Sequence, residues 1–366
     1  MEITDIPVLI TGVLYLILNL LIQTGLRRRW QQVNSQPVVS VIIAARNEAE
    51  NLAACLEHLV SQHYPVQKMQ VLILNDRSSD DTGRIAWSFA RRYPHMKVID
   101  VMDDIPGLKG KMNVLATGIR EALGEIILIT DADCRPDPGW VASMTSFMAG
   151  GVSMIGGLTH ITGTGFFARI QTCDWLFLQS IAAGTTGIGI PVSILGNNFA
   201  FRRETYELTG GFESMGFSLT EDMALLQAFK RIHGVAIAYP LSHGTLVQSE
   251  AVGSVSDLIH QRLRWVAGGR RSGIWGWLLM IVTFLLHLLL PVVLLISTGN
   301  IFLLIITGAI FLADFSLLAA ASSRLGSRIP LFYFPAFEVY YFLYTTVIGF
   351  LSLLPMKIRW KGREYK

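Results

Sequence analysis

Apolar and polar positions divide the chain into three regions. Residues 6–26 are apolar apart from a few uncharged polar side chains, and Arg27-Arg28-Arg29-Trp30 comes directly after. The run is long enough for one transmembrane helix. A cleaved signal peptide would carry its positive charge ahead of the apolar run and small residues at a cleavage site. Here the charge comes after. The arginines predict a cytoplasmic C-terminal end, with Trp30 in the interface. The middle region is then expected in the cytosol.

That region alternates between two periodicities. Residues 38–44, 69–74, 97–101 and 126–129 read as strands, short runs rich in apolar and β-branched residues. Between them stand helical patterns. Leu52, Leu56, Leu59 and Val60 share one face, and a helix over about 82–92 follows a cap at Asp81 or Thr82. Gly107-Leu108-Lys109-Gly110-Lys111 leads into a helix with Val114, Leu115 and Ile119. Alternation with short connections predicts a mostly parallel sheet covered on both faces.

After residues 152–155 the pattern changes. Residues 166–181 carry large apolar side chains and few charges, which reads as a helix lying against the domain or the bilayer. Residues 197–201 read as a short strand ahead of a Gly210-Gly211-Phe212 turn. A helix begins in Ser218-Leu219-Thr220-Glu221-Asp222, with Thr220 as its cap and acids in its first turn. Residues 254–271 are amphipathic. Val255, Leu258, Ile259, Leu263 and Val266 share one face, Arg262, Arg270 and Arg271 lie away from it, and Trp265 is one heptad from Leu258. Such a helix can lie in the membrane interface.

The third region holds apolar segments at about 274–297, 299–321 and 331–354, the first two joined by a tight hairpin at 297–300. Arg324, Arg328 and the basic tail favour the cytosolic side. Three full crossings would put that tail outside. One segment is therefore expected to be re-entrant, interfacial or differently divided. Residues 331–343, with Pro335, Glu338 and Tyr340-Tyr341, form the weakest span. The expected organisation is an anchor over 1–30, an α/β domain over 37–250, an interface helix over 251–273, membrane segments over 274–356 and a basic cytosolic tail over 357–366.

Composition sharpens this reading. The 366-residue chain is 51% hydrophobic, too apolar for an ordinary soluble enzyme, but the excess sits in the outer regions. The net charge is only +3. The basic residues cluster where apolar segments meet water, which suits anionic lipid headgroups and not a nucleic-acid groove. Cys55, Cys134 and Cys173 show neither CxxC pairing nor metal-ligand spacing, and read as reduced, packed thiols. The chain shows no internal repeat and no low-complexity tract.

Candidate chemistry stands at the ends of predicted elements. The strand at 126–129 runs into Asp131 and Asp133, and Pro136 and Pro138 end it. Open α/β sheets bind ligands outside the carboxyl ends of their strands. A carboxylate pair there suits a hard divalent cation, which binds through one or two carboxylates plus substrate phosphates. Asp76 ends another strand, Lys109 and Lys111 precede a helix, and Glu221 and Asp222 begin one. Gln261-Arg262-Leu263-Arg264-Trp265 lies on the interface helix. In isolation each has a structural explanation: a turn former, a solvated face, acids at a helix start, a lipid anchor. Their joint order is much harder to obtain by chance.

Taken in order, the motifs are Ala44-Ala45-Arg46-Asn47-Glu48, Asn75-Asp76 with Asp80-Asp81-Thr82, Lys109-Gly110-Lys111, Asp131-Ala132-Asp133, Thr220-Glu221-Asp222 and Gln261-x-x-Arg264-Trp265. This set resembles the family 2 glycosyltransferases of the GT-A fold, membrane-bound and inverting. The resemblance covers about residues 37–271 and extends to the membrane segments only in layout. The tail Trp360-Lys361-Gly362-Arg363-x-Tyr365 resembles the ends of ceramide-glucosyltransferase-like members.

The resemblance implies a Rossmann-like, mostly parallel mixed sheet with transmembrane helices at both ends. It implies a nucleotide-sugar donor, most often a UDP-sugar, a lipid or saccharide acceptor, and Mn2+ or Mg2+. Integral location in the cell inner membrane is implied, with the catalytic domain cytosolic. By resemblance, Asp76 reads the nucleobase, Asp131 faces the nucleoside, and Asp133, with Asp131 beside it, holds the metal on the diphosphate. Ala44, Arg46 and Glu48 belong to the donor site, and Lys109 or Lys111 adds positive charge to the phosphates. Asp222 is the general base. Gln261, Arg264 and Trp265 close over the diphosphate and shape the acceptor site. His160, His233, His243 and His287 read as structural, though the Gly/Thr-rich stretch around His160 could approach the sugar.

A single N-terminal anchor and few C-terminal spans favour one transfer to a lipid hydroxyl at the cytosolic leaflet. A processive polysaccharide synthase would share the Gln-x-x-Arg-Trp helix but would need a pore. A third class, a non-catalytic nucleotide-binding membrane protein or a small transporter, is disfavoured. Every carboxylate the chemistry needs is present. His287, Asp314 and Glu338 are the ionisable exceptions in the apolar segments, and show no evident pairing in sequence.

Overall fold

A computed structural model describes residues 5–148, 150–296, 300–324, 331–354, 358–360 and 363–365. The first elements in chain order are α1 (Asp5–Leu26), β1 (Val39–Ala45), α2 (Leu52–Val60), β2 (Met69–Asn75), α3 (Thr82–Arg92), β3 (Met96–Asp100), α4 (Gly110–Arg120) and β4 (Ile126–Asp131). Next come β5 (Cys134–Pro136), α5 (Trp140–Phe147), β6 (Val152–Gly156), β7 (Leu158–Thr162), α6 (Phe166–Gly187), β8 (Asn198–Arg202), α7 (Arg203–Leu208), α8 (Gly211–Met215) and α9 (Glu221–Phe229). The rest are β9 (Ala236–Ala238), β10 (Leu246–Glu250), α10 (Val255–Gly269), α11 (Gly273–Ile296), α12 (Ile301–Arg324), α13 (Phe334–Leu353), β11 (Ile358–Trp360) and β12 (Arg363–Tyr365).

The chain divides into an α/β unit, Arg29–Thr162 with Ser193–Glu250, and a helical unit, Met1–Arg28 with Gly163–Val192 and Ala251–Lys366. In the α/β unit a seven-stranded sheet runs in the order β3-β2-β1-β4-β8-β6-β9. The pairs β1–β2, β1–β4, β2–β3 and β6–β9 are parallel, while β8 is antiparallel to both β4 and β6. Strands buried on both faces read as continuous apolar runs, and β1 shows why. Val39, Val41 and Ile43 pack with Leu52, Leu56 and Leu59 of α2. Ile42 points the other way, toward Gly118 of α4. A second sheet, β5-β10-β7, was not anticipated. Its strands are three to five residues long, too short for a periodicity to show.

Helix starts differ from expectation in two places. Asp81 occupies the N-cap position of α3 but makes no side-chain cap bond, because its carboxylate is paired with Arg84 at 2.8 Å. Asp80 takes the role instead: Oδ1 accepts from Thr82 N at 3.0 Å and Oδ2 from Ala49 N at 3.1 Å. Thr220 sits at the N-cap of α9 without a cap bond. By contrast, Ser254 Oγ caps α10 by accepting from Asp257 N at 3.1 Å.

In the helical unit α1 packs against α6, α11 and α12. Gly25 of α1 and Gly184 and Gly187 of α6 stand so close that a Cβ on any of them would meet the opposite backbone. Small residues allow this approach where apolar surface gives no preference for a partner. Asp314 of α12, unpaired to a sequence reader, accepts from the Tyr15 hydroxyl at 2.8 Å and from Asn19 Nδ2 at 2.9 Å. Gln23 Nε2 extends the network to Asn19 Oδ1 and to Ser316 Oγ, at 2.6 and 2.8 Å. His287 Nδ1 lies 2.7 Å from the Thr283 carbonyl.

Among the described residues four helices are long and apolar enough to cross a membrane: Asp5–Leu26, Gly273–Ile296, Ile301–Arg324 and Leu331–Leu353. The last, expected from Pro335, Glu338 and Tyr340-Tyr341 to be the weakest span, has the lowest mean hydropathy of the four, 1.4 against 2.1 to 2.8; Pro335 itself falls in the first turn of α13, where a missing N–H costs nothing. In the tail, β11 and β12 pair antiparallel. The expected hairpin at 297–299, Arg328, and Lys361-Gly362 lie outside the described residues.

Candidate active site

Register brings the acidic motifs to the carboxyl ends of the parallel strands β1, β2 and β4. Ala44 of β1 is opposite Asp131 of β4, and Ala45 is opposite Asn75 of β2. Arg46, Asp76 and Asp131 therefore leave the sheet side by side. On the other flank of β4, Asn198 of β8 is opposite Thr130, so Gly196-Asn197 arrives beside the same exit.

Lys111, in the first turn of α4, joins these pieces. Its Nζ lies 2.6 Å from Asp131 Oδ1, 2.8 Å from Glu221 Oε1 and 3.1 Å from the Gly196 carbonyl oxygen. Burial works against its charge, but Asp131 and Glu221 outweigh burial and hold the ammonium above the ordinary lysine range. A Cβ on Gly196 would sit 2.9 Å from Asp222 Oδ2 and 3.1 Å from Glu221 Oε1. Asp222 is thus in the same cluster, in the first turn of α9, where backbone N–H groups favour negative charge. Met223 N donates to Asp222 Oδ1 at 2.8 Å. Burial raises the Tyr239 phenol, and the Asp222 carboxylate adds to that shift.

Asp133 stands two residues after Asp131. The Cys134 thiol donates to Asp133 Oδ1 at 3.6 Å, and Asn197 Nδ2 donates to Cys134 Sγ at 3.7 Å. Burial, then the charges of Asp133 and Asp131, push the Cys55 and Cys134 thiols up. Among the described residues no group of three or more His, Cys, Asp or Glu side chains is arranged to hold a metal. Two hard carboxylates at one strand exit, with Asp131 Oδ1 shared with Lys111, fit a cation that takes its other oxygens from a diphosphate and water. That is the habit of Mg2+ and its like, and not of a closed zinc site.

The loops after β1 and β2 are laced together. Arg46 Nη1 donates to the Asp76 carbonyl at 2.9 Å and lies 3.8 Å from Asp76 Oδ2. Arg77 Nε donates to Asp76 Oδ1 at 3.0 Å, and its Nη2 reaches Asp104 at 2.8 Å. Ser79 N donates to Asn47 Oδ1 at 2.9 Å, and Glu48 N to Thr82 Oγ1 at 2.8 Å. Asn47 and Arg77 both adopt left-handed φ, 53° and 52°. Non-glycine residues are uncommon there and cluster where loops hold ligands.

The expected site residues therefore separate. Asp76, Ala44, Arg46, Lys111, Asp131, Asp133 and Asp222 gather at the carboxyl ends of β1, β2 and β4. Glu48 is buried, and its Oε2 accepts from Asn51 at 3.0 Å, at the start of α2. Lys109 is exposed at the N-cap of α4. Arg77 and Gly196 were not anticipated. Their signals were adjacency to Asp76 and a glycine ahead of Asn197-Asn198.

Gln261, Arg264 and Trp265 lie on α10 in the helical unit. Arg262, expected away from the apolar face, is fully buried and ion-paired with Asp174 of α6. Positions 258, 262 and 265 share one helical stripe, so Arg262 stands between the buried Leu258 and the half-buried Trp265. Its guanidinium lies 4.0 Å over the Trp265 ring, and Trp175 meets that ring edge-on at 5.0 Å. The Tyr340 hydroxyl donates to Asp174 Oδ2 at 3.1 Å. Burial raises the Asp174 carboxyl against the opposing pull of Arg262.

Comparison with known proteins agrees with this architecture. Glycosyltransferase AglE of Haloferax volcanii is 37% identical over 127 residues, 34% of this chain and 40% of that protein. The beta-monoglucosyldiacylglycerol synthase of Trichormus variabilis is 28% identical over 243 residues, 64% of this chain and 49% of that protein. The chain spans about half the length of the curated relatives it matches. A solved mannosyltransferase, PcManGT from Pyrobaculum calidifontis in complex with GDP-Man and Mn2+, superposes with a TM-score of 0.59 at 17% identity, covering 96% of this chain and 99% of that one. The expected GT-A architecture is therefore the one present. A model of glycosyl transferase family 21 matches residues 5–366, and the chain belongs to that family.

Proposed function

We propose that this protein moves one sugar from a nucleotide-diphosphate sugar, a UDP-sugar, to a lipid acceptor at the cytosolic face of the membrane, inverting the anomeric carbon. The observation that carries the proposal is the cluster around Lys111, which joins the Asp131 strand exit to the Glu221-Asp222 helix start. Donor and acceptor chemistry need those two ends together. Positioning two substrates in line supplies much of the rate.

In this reading Asp133, with Asp131, holds Mn2+ or Mg2+ against the diphosphate. When bound, the cation neutralises charge that builds on the leaving nucleoside diphosphate. Asp222 takes the proton from the acceptor hydroxyl as that oxygen bonds to the anomeric carbon and the bond to the diphosphate oxygen breaks. Asp76 accepts from the nucleobase ring N–H, flanked by Ala44, Arg46 and the β1 exit loop. By the motif they carry, Gln261, Arg264 and Trp265 are assigned to the diphosphate and the acceptor. The glycolipid synthase relatives support a lipid acceptor. Four membrane-length helices support an integral protein. Arg27-Arg28-Arg29 after the first of them supports an inner-membrane protein with residues 37–250 in the cytosol.

Purified protein with a panel of nucleotide sugars and total membrane lipid tests this, products being identified by mass. One hexose per lipid, preference for a UDP donor, loss with a chelator and recovery with Mn2+ or Mg2+ are expected. Asp222→Asn should still bind donor and lose transfer. Full activity in that variant would remove the base assignment, and a ladder of polymer lengths would replace single transfer with processive synthesis.

A further inference from the structure

We infer that Lys111 is a positioning residue that ties the Asp131 exit to the helix carrying Asp222, and not a ligand of the donor phosphates. The inference rests on the functional reading above and changes the role that motif resemblance gives this lysine. An ammonium has three N–H donors and no acceptor. Lys111 has three oxygen partners: Asp131 Oδ1 at 2.6 Å, Glu221 Oε1 at 2.8 Å and the Gly196 carbonyl at 3.1 Å. Every donor is used. The side chains of Lys111 and Glu221 are only 9% and 5% exposed. A phosphate could recruit this ammonium only by taking it from an acceptor in the cluster, and loss of its bond to Glu221 would leave a buried carboxylate uncompensated.

The three partners belong to three different segments. Asp131 ends β4, Gly196 precedes β8, and Glu221 opens α9. Asp222 is the next residue of α9, so its direction depends on where Glu221 is held. Gly196 completes the arrangement, because only a missing side chain lets the Asp222 carboxylate come so near its backbone. Without the ammonium, Asp131, Glu221 and Asp222 would face one another as like charges. The first turn of α9 would shift, and the base with it.

A strut and a phosphate ligand fail differently. Full-length protein in detergent carries Lys111→Met, Glu221→Gln or both, and the dissociation constant of UDP with Mn2+ is measured beside kcat and the donor KM. For a strut, UDP affinity stays within about threefold while kcat falls about 100-fold, the scale of a misplacement near 1 Å. Glu221→Gln, which keeps the lysine, shows the same split. The double variant recovers part of the kcat lost in Lys111→Met, because the uncompensated carboxylate is gone. A UDP dissociation constant raised tenfold or more in Lys111→Met, with kcat unchanged, would overturn the inference. Should Lys111→Met not fold, wild-type kcat in Glu221→Gln overturns it alone. Failure of the functional reading is separate: wild-type protein would then neither bind UDP nor transfer.

Discussion

At the scale of single residues, the cluster depends on an atom that is not there. Gly196 does not adopt a left-handed φ; what its position needs is space. A methyl group would come within 2.9 Å of Asp222 Oδ2 and 3.1 Å of Glu221 Oε1. Overpacking of this kind costs about 1–3 kcal/mol, and here the strain falls on the proposed base. Gly196→Ala should therefore lower the unfolding temperature slightly and lower kcat far more, by about tenfold or more, with donor binding retained. Thermal unfolding and initial rates check both, and wild-type kcat would mean that Asp222 does not work from beside Gly196. The carboxylates themselves were legible. Asp76, Asp131, Asp133 and Asp222 stand at ends of elements whose periodicity is plain, and strand ends are where α/β sheets bind ligands. Gly196 and Arg77 were not legible, because their meaning is a distance to a residue elsewhere in the chain. Lys111 was legible as a candidate for the site, but the role proposed above was not, since donor counting needs the positions of Asp131, Glu221 and Gly196.

At the scale of elements, α10 shows how a charge misleads. Periodicity gave its limits to within two residues at each end, yet the rule that arginine faces water placed Arg262 on the wrong side. A residue four after Leu258 and three before Trp265 shares their stripe, which is buried at Leu258 and half-buried at Trp265. Asp174 on α6, Tyr340 on α13 and the Trp265 ring supply what water would have supplied. Removing one partner of such a pair leaves a buried charge and costs about 3–5 kcal/mol, whereas replacing both by apolar side chains is often neutral. Arg262→Met is expected to destabilise the protein by about that amount. Arg262→Met combined with Asp174→Leu should regain most of it. Thermal unfolding in detergent measures the series, and a double variant as unstable as the single would show that the pair does not set the stability of this packing. The same test bears on Trp265, whose ring rests on Arg262 and Trp175.

At the scale of the whole molecule, hydropathy located the membrane-length helices but not the assembly. α1 and α12 meet through Tyr15, Asn19 and Asp314, residues 295 to 299 positions apart. No local pattern announces that contact, and it makes α1 a packed member of the helical unit. α6 belongs to that unit although it lies between two strands of the α/β unit. Its apolar residues give a helix in the sequence without saying what the helix packs on. Orientation, in contrast, is set by charge. Arg27, Arg28 and Arg29 stand directly after the first apolar helix, and short basic flanks stay on the cytoplasmic side. Residues just beyond them should therefore be shielded in intact cells. Cys55, Cys134 and Cys173 are buried, so a cysteine introduced at the exposed Ser35 reports with low background. Ser35→Cys should react with a membrane-impermeant maleimide only after lysis. Labelling in intact cells would place this end outside, and with it the α/β unit, away from any cytosolic nucleotide sugar. The donor chemistry proposed here would then have no substrate on its own side of the membrane.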